Sequence, residues 1–185
     1  MADVTILPFG GVTPDVARAA FVAPGTRIMG DVVLGEDSSI WYNCVLRGDV
    51  GRIRIGARTN VQDGTVIHCD SEKNGYGGHP TLIGADVLIG HMVMLHGCLL
   101  HDRAFVGMCS TVMDGCEIES DGMLAAGALL TPGKRIGAGQ MWVGRPAKYV
   151  RDLTEAEIAA NLYGVAHYVG NARAHAEAVA AARGA

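Results

Sequence analysis

Aliphatic residues recur along this chain at intervals of six. The ladder starts at Val22, Ile28, Leu34, Ile40 and Leu46, slips, and resumes at Ile55, Val61 and Ile67. After a polar stretch it continues through Ile83, Ile89 and Leu95 and takes a five-residue step to Leu100. Strict sixes follow at Val106, Val112, Ile118, Leu124, Leu130, Ile136 and Trp142. Amphipathic helices repeat near 3.6 residues and strands near 2, so a sustained six fits neither alone. It predicts an all-β solenoid, a parallel β-helix in which each hexapeptide forms one short strand and one tight turn. The aliphatic side chain points into a triangular prism, and three hexapeptides make one coil. Coils then stack about 4.8 Å apart, the spacing of neighbouring strands. Glycine often follows the ladder residue (Gly35, Gly56, Gly84, Gly90, Gly107, Gly137). Such glycines serve turns that need positive φ or close backbone approach. The fourth residue after the ladder position is often small, as at Thr26, Ser38, Cys44, Thr59, Thr65 and Ser110.

Two regions depart from the ladder. Residues 69–80 read as a protruding polar loop that begins directly after His68. Beyond Pro146, Leu153-Thr154-Glu155-Ala156-Glu157-Ile158 reads as a helix start. Thr154 and Glu157 have the spacing of a capping box, and Leu153 with Ile158 that of a hydrophobic staple. The Ala-rich run to about Arg183 continues the helix. Gly164 and Gly170 weaken it by up to about 1 kcal/mol each, so it needs the side of the prism to lie on. The expected organisation is a single domain: an N-terminal cap segment over 1–21, the hexapeptide β-helix over 22–150, and the helix over 151–185.

Composition narrows the setting. Hydrophobic residues make up 49% of the chain and charged ones 18%, which suits a buried core and not a disordered chain. The formal charge is −4, with no Lys/Arg cluster, so nucleic acid and anionic membrane surfaces are not expected partners. No apolar run reaches the ~18 residues of a membrane span, and Met1-Ala2-Asp3-Val4 does not read as a secretory signal. Five cysteines form no CxxC pair, which reads as reduced thiols in the cytoplasm.

The register then sorts the histidines. With the prism faces named A, B and C, Leu46, Ile67 and Leu95 fall on face A. Arg47, His68 and His96 each follow one of them and stack in one column, with His68 and His96 one coil apart. Asp63 and His91 each lie two residues after a face-C position and stack likewise, with Gln62 beside Asp63. His91 therefore does not readily reach face A of its own prism, whereas a neighbouring chain in a three-fold ring brings one there. Three neutral imidazoles and one open position suit a catalytic zinc; Fe(II) or Co(II) suits the same ligands. His79, His101, His167 and His175 read as ordinary surface or core histidines.

The residues that carry this pattern are Leu46-Arg47-Gly48-Asp49, Thr59-Asn60-Val61-Gln62-Asp63-Gly64, Val66-Ile67-His68, Ile89-Gly90-His91, Leu95-His96-Gly97 and Val143-Gly144-Arg145-Pro146. Over about residues 10–170 the chain resembles the γ-class carbonic anhydrases of the hexapeptide-repeat, left-handed β-helix superfamily. The resemblance implies a homotrimer with metal sites at subunit interfaces and His68, His91 and His96 as ligands. It implies that Gln62 orients hydroxide and that Arg47 holds bicarbonate while pairing across the interface with a carboxylate, for which Asp49 or Asp63 is a candidate. Tyr168 matches an aromatic that the C-terminal helix brings near the metal. Two departures stand out: Val50 replaces a glutamate that follows the Arg-Gly-Asp triplet, and the loop offers Asp70 and Glu72, with Ser71 at the nearest spot, where a proton-shuttling glutamate is common. The implied activity is reversible hydration of CO2, with slow turnover. The alternatives are metal-assisted thioester hydrolysis or acyl transfer on coenzyme A, and a scaffold that binds metal or bicarbonate without turnover.

Overall fold

A computed structural model describes residues 3–71 and 78–184. Every ladder residue from Ile28 to Ile136 is buried at 4% exposure or less. Their strands pair in parallel and in register: Leu46 beside Ile67 beside Leu95, and Val61 beside Ile89. The result is a parallel β-solenoid of about 7 turns with one C-terminal helix, matching the left-handed hexapeptide β-helix. The core is a single column of aliphatic side chains down the prism axis. Buried Thr59 and Thr65 line the turns, and their hydroxyls donate to the carbonyls of Gly84 and Gly90, tying one coil to the next.

Gly35, Gly56, Gly84, Gly90, Gly107 and Gly137 do not take positive φ; those turn positions fall to other glycines and to residues such as Asp37, Asn43, Arg58 and Asp86. A glycine after the ladder residue instead serves close approach. A Cβ on Gly56 would lie 2.4 Å from the backbone of Gly84 in the next coil.

Strands Arg27–Leu34 and Val45–Ile55 run unbroken around the corner between faces A and B. Those two faces therefore form one 11-stranded sheet, and face C forms a separate 8-stranded one. Each departure from six falls on that same A-to-B corner. The slip lies between Leu46 and Ile55, the polar stretch between Ile67 and Ile83, and the short step between Leu95 and Leu100. The regular corners hold the prism, and the irregular one is free to carry chemistry. Of the polar loop, residues 72–77 lie outside the described residues, Glu72 among them.

At the N-terminus, Thr5–Leu7 pairs with Arg27–Met29 and extends the sheet. The C-terminal helix spans Glu155–Gly184. Thr154 caps it: the Glu157 N–H donates to the Thr154 hydroxyl, and the Thr154 N–H donates to the Glu157 carboxylate at 2.9 Å. The helix packs along face C, against Phe21–Val22, Ser39–Ile40, Asn60–Val61 and Leu88–Ile89. Small residues make the seat: Ala172 is fully buried against the cluster containing Phe21 and Trp41. A Cβ on Gly164 would lie 3.2 Å from Leu88 Cδ1, so the glycine that weakens the isolated helix also lets it lie close to the sheet. Among the described residues no helix is long and apolar enough to cross a membrane.

Candidate metal centre

His68 ends strand Val66–His68 and His96 ends strand Met94–His96; the two are register partners on face A. Both side chains leave the sheet at the irregular corner. His68 Nδ1 faces His96 Nε2 at 3.0 Å, with ring centroids 5.0 Å apart. The outward nitrogens are both engaged. His68 Nε2 lies 3.0 Å from Asp49 Oδ1, and His96 Nδ1 lies 2.6 Å from Asp114 Oδ1.

Electrostatics fix which nitrogens carry hydrogen. Burial pushes the Asp49 carboxyl up, but the hydrogen bonds from His68 and Arg47 outweigh it and hold the group below its ordinary value. An ionised carboxylate only accepts, so His68 Nε2 is the donor. Burial, with the nearby Arg47 and His96 charges, holds the His68 pKa below that of a free imidazole, against the pull of Asp49. His68 is therefore a neutral ring with its lone pair on Nδ1. By the same rule the carboxylate of Asp114 accepts a hydrogen bond from His96 Nδ1–H, which in the neutral ring places the lone pair on Nε2. Two lone pairs facing at 3.0 Å repel unless a cation or proton lies between them. Nitrogen ligands of a tetrahedral zinc, with bonds near 2.05 Å, sit roughly 3.3 Å apart. The donor set and its spacing fit a divalent metal.

Arg47 stands over this pair. Its Nη1 donates to Asp49 Oδ2 at 2.6 Å, and its Nη2 lies 3.3 Å from His68 Nδ1. Arg47 is 43% exposed, so the guanidinium still has an open side. Of the two carboxylates weighed from the sequence, Asp49 is its partner within the chain.

His91 lies elsewhere. It sits in the turn after Leu88–Ile89, at the corner from face C to face A, across face A from the His68–His96 pair. Its Nδ1 is 2.8 Å from Asp63 Oδ2, and the Tyr42 N–H holds the other oxygen of Asp63 at 3.1 Å. Gln62 is buried beside it, and its amide donates to Asn60 Oδ1 at 3.1 Å, which leaves the Gln62 carbonyl available as an acceptor. Asn60 Nδ2 is buried without a partner, an orphan donor next to Gln62. Tyr168 reaches this half from the helix. Its ring packs edge-on to Trp41 at 5.3 Å, and burial, then the charge of Asp63, raises its pKa.

The chain thus carries two half-sites. One holds Arg47, Asp49, His68 and His96, the other Gln62, Asp63, His91 and Tyr168. Among the described residues no three metal-type side chains converge within one chain. Asp114 and Asn60 escaped the sequence reading. Asn60 lies inside a quoted motif and was legible by its place two residues before Gln62. Cys44 and Cys69 take no part: burial pushes the Cys44 thiol up to about 12 and Cys69 up to about 11, so both are inert thiols.

The fold is that of a hexapeptide-repeat protein, and the His68–His96 half-site fits one part of a metal centre. No family model matches the chain. A solved hexapeptide transferase family protein from Anaplasma phagocytophilum has a TM-score of 0.84 and 45% identity, over 92% of this chain and 97% of that one. Gamma carbonic anhydrase 1, mitochondrial, of Arabidopsis thaliana is 46% identical over 88% of this chain and 59% of its own length. A carbonic anhydrase of Geobacillus kaustophilus is 44% identical over 83% of this chain and 81% of its own. The chain belongs to the gamma carbonic anhydrase family. It spans about three fifths of the length of the Arabidopsis relatives, 59% in each of the first two.

Proposed function

We propose that this protein catalyses the reversible hydration of CO2 at a metal centre shared between neighbouring subunits of a homotrimer. The facing nitrogens of His68 and His96, each backed by a carboxylate, carry this reading. His91, backed by Asp63 but stranded across face A, is the natural third ligand from the next subunit. Exposed Met92, Met94 and Met108 supply apolar surface near His91 and on face A, as a subunit contact there needs. Zinc, Fe(II) or Co(II) suits three imidazoles. When bound, the metal supplies the Lewis acidity that makes water a nucleophile near neutral pH.

The chain's own residues do the rest. Asp49 fixes Arg47 so that its open side presents a cationic fork to a planar anion, which suits bicarbonate. Gln62, held by Asn60, offers a carbonyl acceptor to orient the attacking hydroxyl. Tyr168 and Trp41 form an apolar wall beside Gln62 and Asp63. Among the described residues no glutamate stands ready to take the proton: Val50 is exposed where a carboxylate would help, and Asp70 and Ser71 begin the loop. Turnover is then limited by proton transfer to buffer.

Stopped-flow CO2 hydration on metal-loaded protein, with His96→Ala as control, tests the reading. It expects a rate that depends on both metal and His96. No rate above the metal-free protein, in zinc- and iron-loaded samples alike, sinks it. One observation favours a second reading, acyl chemistry on coenzyme A: the 45% identical Anaplasma protein bears a transferase description. A panel of coenzyme A esters tests it, and metal-independent turnover there with no CO2 hydration supports it.

A further inference from the structure

Each of the three candidate ligands has its second ring nitrogen on an aspartate: His68 on Asp49, His91 on Asp63, His96 on Asp114. Asp49 and Asp63 lie within the motifs that mark the family resemblance. Asp114 lies outside all of them, and it makes the shortest of the three contacts, 2.6 Å. We propose that Asp114 is a positioning residue of the metal centre, which fixes the tautomer and aim of His96. This deepens the proposed function and rests on His96 being a ligand.

Three further observations support it. The neighbouring coil leaves room for this contact: a Cβ on Gly97, the residue after His96, would lie 2.3 Å from Asp114 Oδ1. Gly97 also takes a φ of +52, which disfavours a side chain there in any case. The backbone locks the two turns together, with the Gly115 N–H donating to the Gly97 carbonyl at 2.8 Å. Lastly, among the described residues the ion-pair partner of Asp114 is His96 alone, with no Lys or Arg within reach. A carboxylate kept for surface charge pairing would meet a cation, as Asp86 meets Arg58 and Asp121 meets Arg103. Asp114 instead meets an imidazole, at the one ring nitrogen the metal does not need. A carboxylate in that position orients the ring and raises its basicity as a ligand.

The test compares Asp114→Ala and Asp114→Asn with the parent full-length protein. Zinc affinity is read by competition with a chromophoric chelator, and the ring tautomer of His96 by 15N NMR of the metal-free protein. Loss of the carboxylate is expected to weaken zinc binding by roughly 10–100-fold. In the metal-free parent the His96 hydrogen is expected on Nδ1, and in Asp114→Ala it leaves that nitrogen for Nε2 or becomes shared between the two. Asp114→Asn keeps an oxygen acceptor at the same place and is expected to recover the tautomer and part of the affinity. Zinc binding and tautomer unchanged in Asp114→Ala overturn the proposal. So does an equal loss in both variants accompanied by the same drop in metal-free melting temperature, since that marks a merely structural residue. A parent protein that binds no zinc overturns the metal reading of the site, and the ring tautomer then still decides whether Asp114 holds His96.

Discussion

His68 sits where burial and charge pull in opposite directions. Burial, helped by Arg47 and His96, lowers its pKa from the ordinary 6.5, while Asp49 pulls it back up. A ligand histidine has to stay neutral, and the balance at this residue favours that. The consequence for stability has a definite sign. The unfolded chain protonates His68 near pH 6.5, before the folded one does, so the contribution is complete above that pH. It falls as the pH drops from there to the lower folded value. Metal-free protein is therefore expected to melt lower at pH 5 than at pH 7, and His68→Gln to flatten that dependence. Melting temperature against pH checks this, and parallel curves for parent and variant contradict it. The carboxyl of Asp49 acts in a separate window. Its pKa is also depressed, so its contribution is present above its ordinary 3.8 and is lost below. At this scale the sequence was legible where the ladder fixed the register. One position after a face-A aliphatic put Arg47, His68 and His96 in one column, and the structure stacks them so. Asp114 was not legible in that way. It stands two residues after its own ladder position, Val112, and reaches back one coil to His96. Only the trajectory of its turn relative to Gly97 reveals the contact.

The elements show why the irregular corner of the prism gathers Arg47, Asp49, His68 and His96. A hexapeptide coil tolerates little change at its regular corners, because a glycine such as Gly56 lies against the backbone of the next coil. Gly56→Ala drives a carbon to 2.4 Å from Gly84 backbone atoms, which no side-chain adjustment relieves. Overpacking of this kind costs about 1–3 kcal/mol or more, so a clear fall in melting temperature is expected; an unchanged value argues against the stacking. The A-to-B corner is built differently. Its slip, its polar stretch and its short step lie in adjacent coils, and Arg47, Asp49, His68 and His96 emerge among them. The sequence showed each irregularity, but their alignment on one edge depended on how residues 69–80 count around the prism. The strand pairing of Arg54 with Leu82 and Ile55 with Ile83 settles that count. The C-terminal helix was legible from its start signal, since a capping box is a local device. Its Glu157 carboxyl is drawn down to about 2, first by Arg151 and then by the Thr154 N–H and hydroxyl. That contribution is present above the ordinary 4.5 and disappears as the pH falls through about 2. Arg151→Ala is expected to bring the Glu157 titration, followed by NMR, back toward 4.5. Thr154→Ala removes the cap oxygen and is expected to cost about 1 kcal/mol, read from chemical denaturation.

For the whole molecule, the separation of His91 from the His68–His96 pair is the decisive feature. A prism is rigid, and face A lies between the two half-sites, so no motion within one chain joins them without breaking the solenoid. In the proposed homotrimer a closed ring would join them without distortion, because each subunit would offer one corner to the neighbour on either side. The arrangement makes a quantitative prediction. In the proposed trimer, His91→Ala and His96→Ala would each remove a ligand from every site, so neither homotrimer is expected to hold the metal tightly. In trimers refolded from an equal mixture of the two, a site is intact only where an H91A subunit supplies His68 and His96 and an H96A neighbour supplies His91. Random assembly makes that arrangement at about a quarter of the sites, since each of the two positions is filled correctly about half the time. Metal content per subunit, and CO2 hydration with it, is expected to rise from near zero to about one quarter of the parent value. If all three ligands came from a single chain, every site in the mixture would lack one histidine and no recovery would appear. If the sites needed no third histidine, the H91A homotrimer alone would hold metal as the parent does.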